Sequence, residues 1–169
     1  MKILVASDIH GNSDKFSKVI SFFKDENLDK IIILGDIFNY YQTTSDLEIS
    51  KMLFSVAPKL EIVRGNCDKD EDEQMMPMGF KTYHIEEINN HKIMFFHGDK
   101  YITNDAGCDI FCSGHTHVAK IIKNENKIMI NPGSVSRPRD DSIGSFLVIG
   151  DKVITIFDLN YRIINESFY

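Results

Sequence analysis

At 169 residues, with 43% hydrophobic and 26% charged residues, the chain has the size and make-up of one domain (1–169) with a full core. A net charge of −6 argues against non-specific nucleic-acid binding, which relies on Lys and Arg neutralising phosphates. Three cysteines at irregular spacing describe no disulfide framework, and no apolar run nears the ~20 residues that span a bilayer. No signal-peptide pattern opens the chain, so the expected compartment is a reducing cytoplasm, with Cys108 and Cys112 as buried thiols.

The first half alternates strand-like and helix-like patterns. Residues 2–6 read as a buried strand, and Phe16, Val19, Ile20 and Phe23 then repeat at helical spacing. Residues 30–34 form a second strand whose three isoleucines suit burial on both faces. Ile49, Met52, Leu53 and Val56 mark a second amphipathic helix that stops before Pro58, and 60–63 is a third strand. This order implies parallel pairing with right-handed crossovers. The segment 67–79 is acidic and rich in methionine. Its alternating Asp68, Asp70 and Asp72 suggest a calcium loop, but Glu73 stands where that loop needs glycine. Met75, Met76 and Met78 would fill the core or, if exposed, suit a partner surface or a homodimer. Beyond residue 89 come short strand-like runs at 92–96, 109–112, 118–123, 127–130, 145–149 and 153–157. Asn89-Asn90, 124–126 and Gly150-Asp151 read as hairpin turns between them. The expected fold is α/β, a four-layer αββα sandwich of two mixed sheets with helices outside.

Residues able to bind metal follow the strand-like runs. Asp8 and His10 follow the first, Asp36 the second, Asn66 the third, His97 the run at 92–96, and His115 and His117 the run at 109–112. Strand ends on one edge of an open α/β sheet face a common crevice. Asp-x-His, Gly-Asp or Gly-Asn alone more often marks a turn or a cap. Asn12 or Ser13 would cap the first helix. Seven such residues in this order suggest two divalent metals, with Asp36 able to bridge them through its two oxygens. His84 and His91 lie outside the pattern and read as surface or packing residues.

The runs Asp8-Ile9-His10-Gly11-Asn12, Gly35-Asp36, Gly65-Asn66-Cys67-Asp68, His97-Gly98 and Gly114-His115-Thr116-His117 resemble the calcineurin-like metallophosphoesterases. Asn131-Pro132-Gly133-Ser134 is similar to the small single-domain phosphodiesterases of bacteria and archaea. The resemblance implies one ion on Asp8, His10, Asp36 and His117 and a second on Asp36, Asn66, His97 and His115. It also implies manganese as the metal, with nickel, iron, zinc or cobalt suited to the same mixed ligands. The expected reaction is hydrolysis of a phosphate ester by water activated between the ions. Arg137 and Arg139, with Asn12 and Asn39, are candidates for contact with the phosphate. Cys67 stands where many larger relatives carry a proton-donating histidine, and a thiol near ~8.5 is a poor general acid. That favours a diester with a good leaving group, Asn66, Cys67 and Asp68 being the candidate catalytic side chains. The expected partner is a small phosphate ester, without sequence-specific nucleic acid or membrane. The alternative is a scaffold of the same fold, with little or no catalysis.

Overall fold

The computed structural model describes residues 1–100, 105–124 and 127–169. β1 (Ile3–Ala6) leads through α1 (Ser13–Asp25) to β2 (Lys30–Ile33), and α2 (Thr44–Ser55) leads on to β3 (Leu60–Ile62). These three strands are parallel. β9 (Ser145–Ile149) pairs antiparallel with β1 and continues to β10 (Val153–Asp158) and β11 (Ile163–Phe168), giving the sheet order β11-β10-β9-β1-β2-β3. The second sheet runs β4-β5-β6-β8-β7, built from Tyr83–Ile88, His91–Phe96, Ile110–Ser113, Ile128–Pro132 and Ala119–Lys123 in that order. Within it β5, β6 and β8 are parallel and the two outer pairings antiparallel.

The alternation along β1 and β2 explains why their sequences are apolar at every position except Lys30. Leu4, Ala6, Ile31 and Ile33 face one core with Phe16, Val19, Ile49 and Leu53 of the helices. Ile3, Val5, Ile32 and Leu34 face a second core with Ile93, Phe95, Ile110 and Cys112 of the other sheet. The parallel strands β1 and β2 are thus buried on both faces, as parallel sheets are. Both α-helices lie on the outer face of the first sheet. Among the described residues the outer face of the second sheet carries no helix, and Met129 and Ile122 are exposed there.

Two strands lie outside the expectations. β4 and β11 appear where no strand was expected, each at the edge of its sheet. Segment 67–79 contains a 3-10 helix, Asp70–Met75, and its methionines turn inward: Met76 joins the helix-side core, with Met75 and Met78 packed against it. The Ser50 hydroxyl donates to the Met75 carbonyl and anchors the segment to α2. Met76 is buried and Met75 and Met78 are half-buried, so the segment packs chiefly on that core. The turn expected at 124–126 falls partly outside the described residues, while β7 and β8 on either side of it pair antiparallel.

Candidate metal centre

The parallel strands bring the expected residues together. β1, β2 and β3 deliver Asp8, Asp36 and Asn66 just past their carboxyl ends, and β5 and β6 deliver His97, His115 and His117. The loops after β2 and β3 approach so closely that a Cβ on Gly35 would stand 2.2 Å from the Gly65 nitrogen. A Cβ on Gly65 would meet Asp36 Oδ1 at 2.2 Å. Only paired glycines allow this crossing, and it sets Asp36 beside Asn66.

Asp8, His10 and His117 offer ligand atoms within 4.8 Å of one another, and so do Asp8, Asp36 and His97. Asp36 stands between the histidines, Oδ2 at 3.8 Å from His10 Nε2 and Oδ1 at 3.6 Å from His97 Nε2. His97 Nε2 also lies 3.1 Å from Asn66 Oδ1. His115 is exposed; its ring meets that of His97 edge-on at 5.1 Å, and its backbone N–H donates to Asp8 Oδ2.

The buried hydrogen bonds fix the proton positions. His97 Nδ1 donates to the Leu34 carbonyl at 2.6 Å and His117 Nδ1 to the Arg137 carbonyl at 2.7 Å. Each Nε2 therefore presents a lone pair, the arrangement in which a backbone acceptor orients a metal-binding imidazole. His117 Nε2 lies 3.2 Å from Asp8 Oδ1, which is buried without a hydrogen-bond partner. His10 Nε2 lies 3.4 Å from His117 Nε2. Acceptors so arranged repel one another and leave a buried carboxylate oxygen uncompensated unless a cation lies between them. Burial raises the Asp8 carboxyl above its usual range and depresses His10 from 6.5 to about 4. The residues present fit a divalent cation.

Asp68 corrects one expectation. It is buried, and both its oxygens accept backbone N–H bonds: Oδ2 from Asp36 and Gly65, Oδ1 from Ile37. It holds the β2 and β3 loops together, its carboxylate committed to backbone donors rather than free for proton transfer. Cys67 is exposed and within 4.8 Å of His10 and Asp36 in ligand atoms, while burial and the Asp36 charge push its thiol up to about 11. Asn66 Nδ2 donates to its sulfur.

A cavity of ≈ 470 Å³ opens beside His10, with Asn12, Asn39 and Arg137 among its walls; Arg139 is exposed and lies outside them. Asn12 also caps α1 through Oδ1, which accepts from the Lys15 N–H. A smaller cavity of ≈ 190 Å³ opens beside His97 and is lined in part by Arg64, Phe96 and Lys100. Arg64 is paired with Asp70 at 2.6 Å. His84 bonds to Glu86 and His91 to Asp109, both away from the cluster.

Sequence reasoning missed the supports. Asn131 donates to the Gly114 carbonyl and Thr116, and the Ser134 hydroxyl donates to the Asp8 carbonyl, so one turn ties loops of both sheets together. The Asn-Pro-Gly-Ser run was the available signal, but its partners lie up to 126 residues away.

The family model of the calcineurin-like phosphoesterase superfamily domain matches residues 1–151. The phosphodiesterase YfcE of Escherichia coli K12 is 26% identical over 171 residues, covering 95% of this chain and 93% of that protein. A probable metallophosphoesterase of Methanothermobacter thermautotrophicus is 31% identical over 169 residues, covering 90% and 89%. The solved structure of the E. coli phosphoesterase superposes with a TM-score of 0.87 at 25% identity, over 99% of each chain. The zinc complex of Vps29 from Entamoeba histolytica, at 18% identity and a TM-score of 0.67 over 99% of each chain, shares the fold.

Proposed function

Because this chain belongs to the calcineurin-like phosphoesterase superfamily and is a metal-dependent hydrolase of phosphate esters, we propose that its substrate is a small phosphodiester. Asp8, His10, Asp36 and His117 would hold one divalent ion, and Asp36, Asn66, His97 and His115 a second. The observation that carries this ligand set is the buried, unpartnered Asp8 Oδ1 facing the lone pair of His117. Two such ions, when bound, supply Lewis acidity to the phosphoryl group and to water. Manganese is the metal we assign by family resemblance. Nickel, iron, zinc and cobalt suit the same mixed imidazole and oxygen donors.

The protein's own contribution is positioning and charge. Among the described residues no ion pair engages Arg137, and its charge acts on His10, which suits it to non-bridging phosphate oxygens. Asn12 and Asn39 line the same cavity. The Cys67 thiol stays protonated at neutral pH and is a weak acid, so an alkoxide leaving group would gain little from it. That deficit, with the name of the E. coli relative, supports a diester with a good leaving group. The three free cysteines support a cytoplasmic location. No helix of the described residues is long and apolar enough to cross a membrane.

The test is hydrolysis of bis-p-nitrophenyl phosphate by metal-stripped protein during a Mn²⁺ titration, with His97→Ala alongside. Metal-dependent turnover lost in the variant supports the reading. Equal turnover in the variant removes His97 from the ligand set, and absence of turnover with Mn²⁺, Ni²⁺ or Zn²⁺ overturns the diester assignment.

A further inference from the structure

The ≈ 470 Å³ cavity beside His10 differs from an ordinary ligand pocket in one respect. Ligand sites are lined mainly by apolar side chains, yet none of the residues around this one has an apolar side chain. The Ser45 hydroxyl donates to the Gly11 carbonyl at 2.5 Å and accepts from the Ser13 N–H, while Ser13 Oγ donates to Glu48. Lys15 Nζ donates to the Ser136 and Ile143 carbonyls and fixes the far wall. These groups are satisfied internally and shape the cavity. Asn12, Asp14 and Arg137 line it too, and among the described residues no hydrogen bond or ion pair engages the Asn12 Nδ2 amide or the exposed Asp14 carboxylate and Arg137 guanidinium.

An aryl or alkyl group entering here would displace water from around those groups and offer no hydrogen bond in return. A second anion would meet the Asp14 carboxylate. A neutral arm carrying adjacent hydroxyls meets neither penalty, because a carboxylate accepts from two hydroxyls and the amide donates in return. An acidic side chain recognises ribose hydroxyls in the same way at dinucleotide sites. We propose that this cavity binds a vicinal diol, a ribosyl or glyceryl group esterified to the scissile phosphate, with Asp14 as the hydroxyl acceptor and Asn12 as donor. The assignment rests on the phosphodiesterase reading and names the substrate class within it. Arg137, which lines the cavity together with His10, meets the phosphate itself.

The experiment compares p-nitrophenyl phosphodiesters that share one leaving group and differ in the other arm: ethyl, glyceryl, uridin-5′-yl and carboxymethyl. With Mn²⁺-loaded protein, KM for the glyceryl and uridinyl esters is expected to be roughly tenfold or more below that of the ethyl ester. Asp14→Ala, and separately Asp14→Asn, should erase that advantage. A lower KM for the uridinyl than for the glyceryl ester assigns ribose, and the reverse assigns glycerol. Equal KM values for the ethyl and diol esters, or a preference for the carboxymethyl ester, overturn the proposal while leaving diesterase chemistry intact. If no diester is hydrolysed, titration calorimetry of metal-free protein with glycerol 3-phosphate and ethyl phosphate decides. Tighter, Asp14-dependent binding of glycerol 3-phosphate keeps the diol site although the diesterase reading has failed, and equal binding removes both.

Discussion

Asp8, His10, Asp36, His115 and His117 have backbone φ of 56°, 45°, 54°, 63° and 62°, the left-handed region that side chains other than Asn, Asp and His seldom visit. Each such residue costs on the order of 1 kcal/mol and persists where surrounding structure over-determines it, commonly at functional sites. His115 tests this directly, because its exposed side chain contributes little packing. His115→Gly should leave the metal-free protein more stable than His115→Ala, by about 1 kcal/mol. Urea midpoints would measure it, and an Ala variant as stable as the Gly one would refute local strain. Proton uptake provides a second test. Burial holds His10 at about 4 against an ordinary 6.5, so on acidification the unfolded chain takes the proton first and stability falls through that window. Asp8, raised by burial, acts in the opposite sense above 3.8, the native carboxyl protonating first. His10→Gln should therefore lose less stability than wild type between pH 7 and pH 5. Equal losses would show that His10 is not held neutral by the fold.

At the scale of elements, the site depends on loops that follow parallel strands and on the groups that tie them. Asp68 is the tie between the β2 and β3 loops, and its two oxygens serve three N–H donors. An amide in its place has one acceptor oxygen and turns an N–H₂ toward a backbone N–H. Asp68→Asn should therefore destabilise the protein by ~2–3 kcal/mol, as expected when buried donors lose their acceptor. A loss below ~0.5 kcal/mol, typical of unconstrained surface changes, would remove Asp68 from this role. The elements that were legible in sequence share two-sided burial. β1 and β2 read clearly because every position but Lys30 is apolar, and α1 because Phe16, Val19, Ile20 and Phe23 fall on one face. β4 and β11 lack that signal because an edge strand needs no continuous apolar run. β4 carries Glu86 and Glu87, and β11 is exposed at nearly every residue.

For the whole molecule, metal and fold are linked. A ligand that binds only the native state at a hundredfold above its Kd stabilises by ~2.7 kcal/mol, so saturating Mn²⁺ should raise Tm by roughly 5–10 °C, reversibly with chelator. Asp36→Asn, which removes the carboxylate charge that the proposed ligand set shares between both ions, should show much less of that shift. A Tm indifferent to Mn²⁺, Ni²⁺ and Zn²⁺ in the wild type would count against a resident metal. The sequence alone determined the chemistry on offer: one domain's worth of core, the βαβαβ half, and seven metal-capable residues at strand ends. Composition, periodicity and motif spacing are local properties, and they carry that far. The tertiary structure decided what non-local contacts control. It packed the methionines of 67–79 against the helix-side core and made Asp68 a clamp between the β2 and β3 loops. It aimed His97 and His117 through the Leu34 and Arg137 carbonyls, and it left Asp8 Oδ1 facing a lone pair. Those outcomes depend on which backbone groups of distant strands meet, a matter of sheet register and packing that no short stretch of sequence encodes.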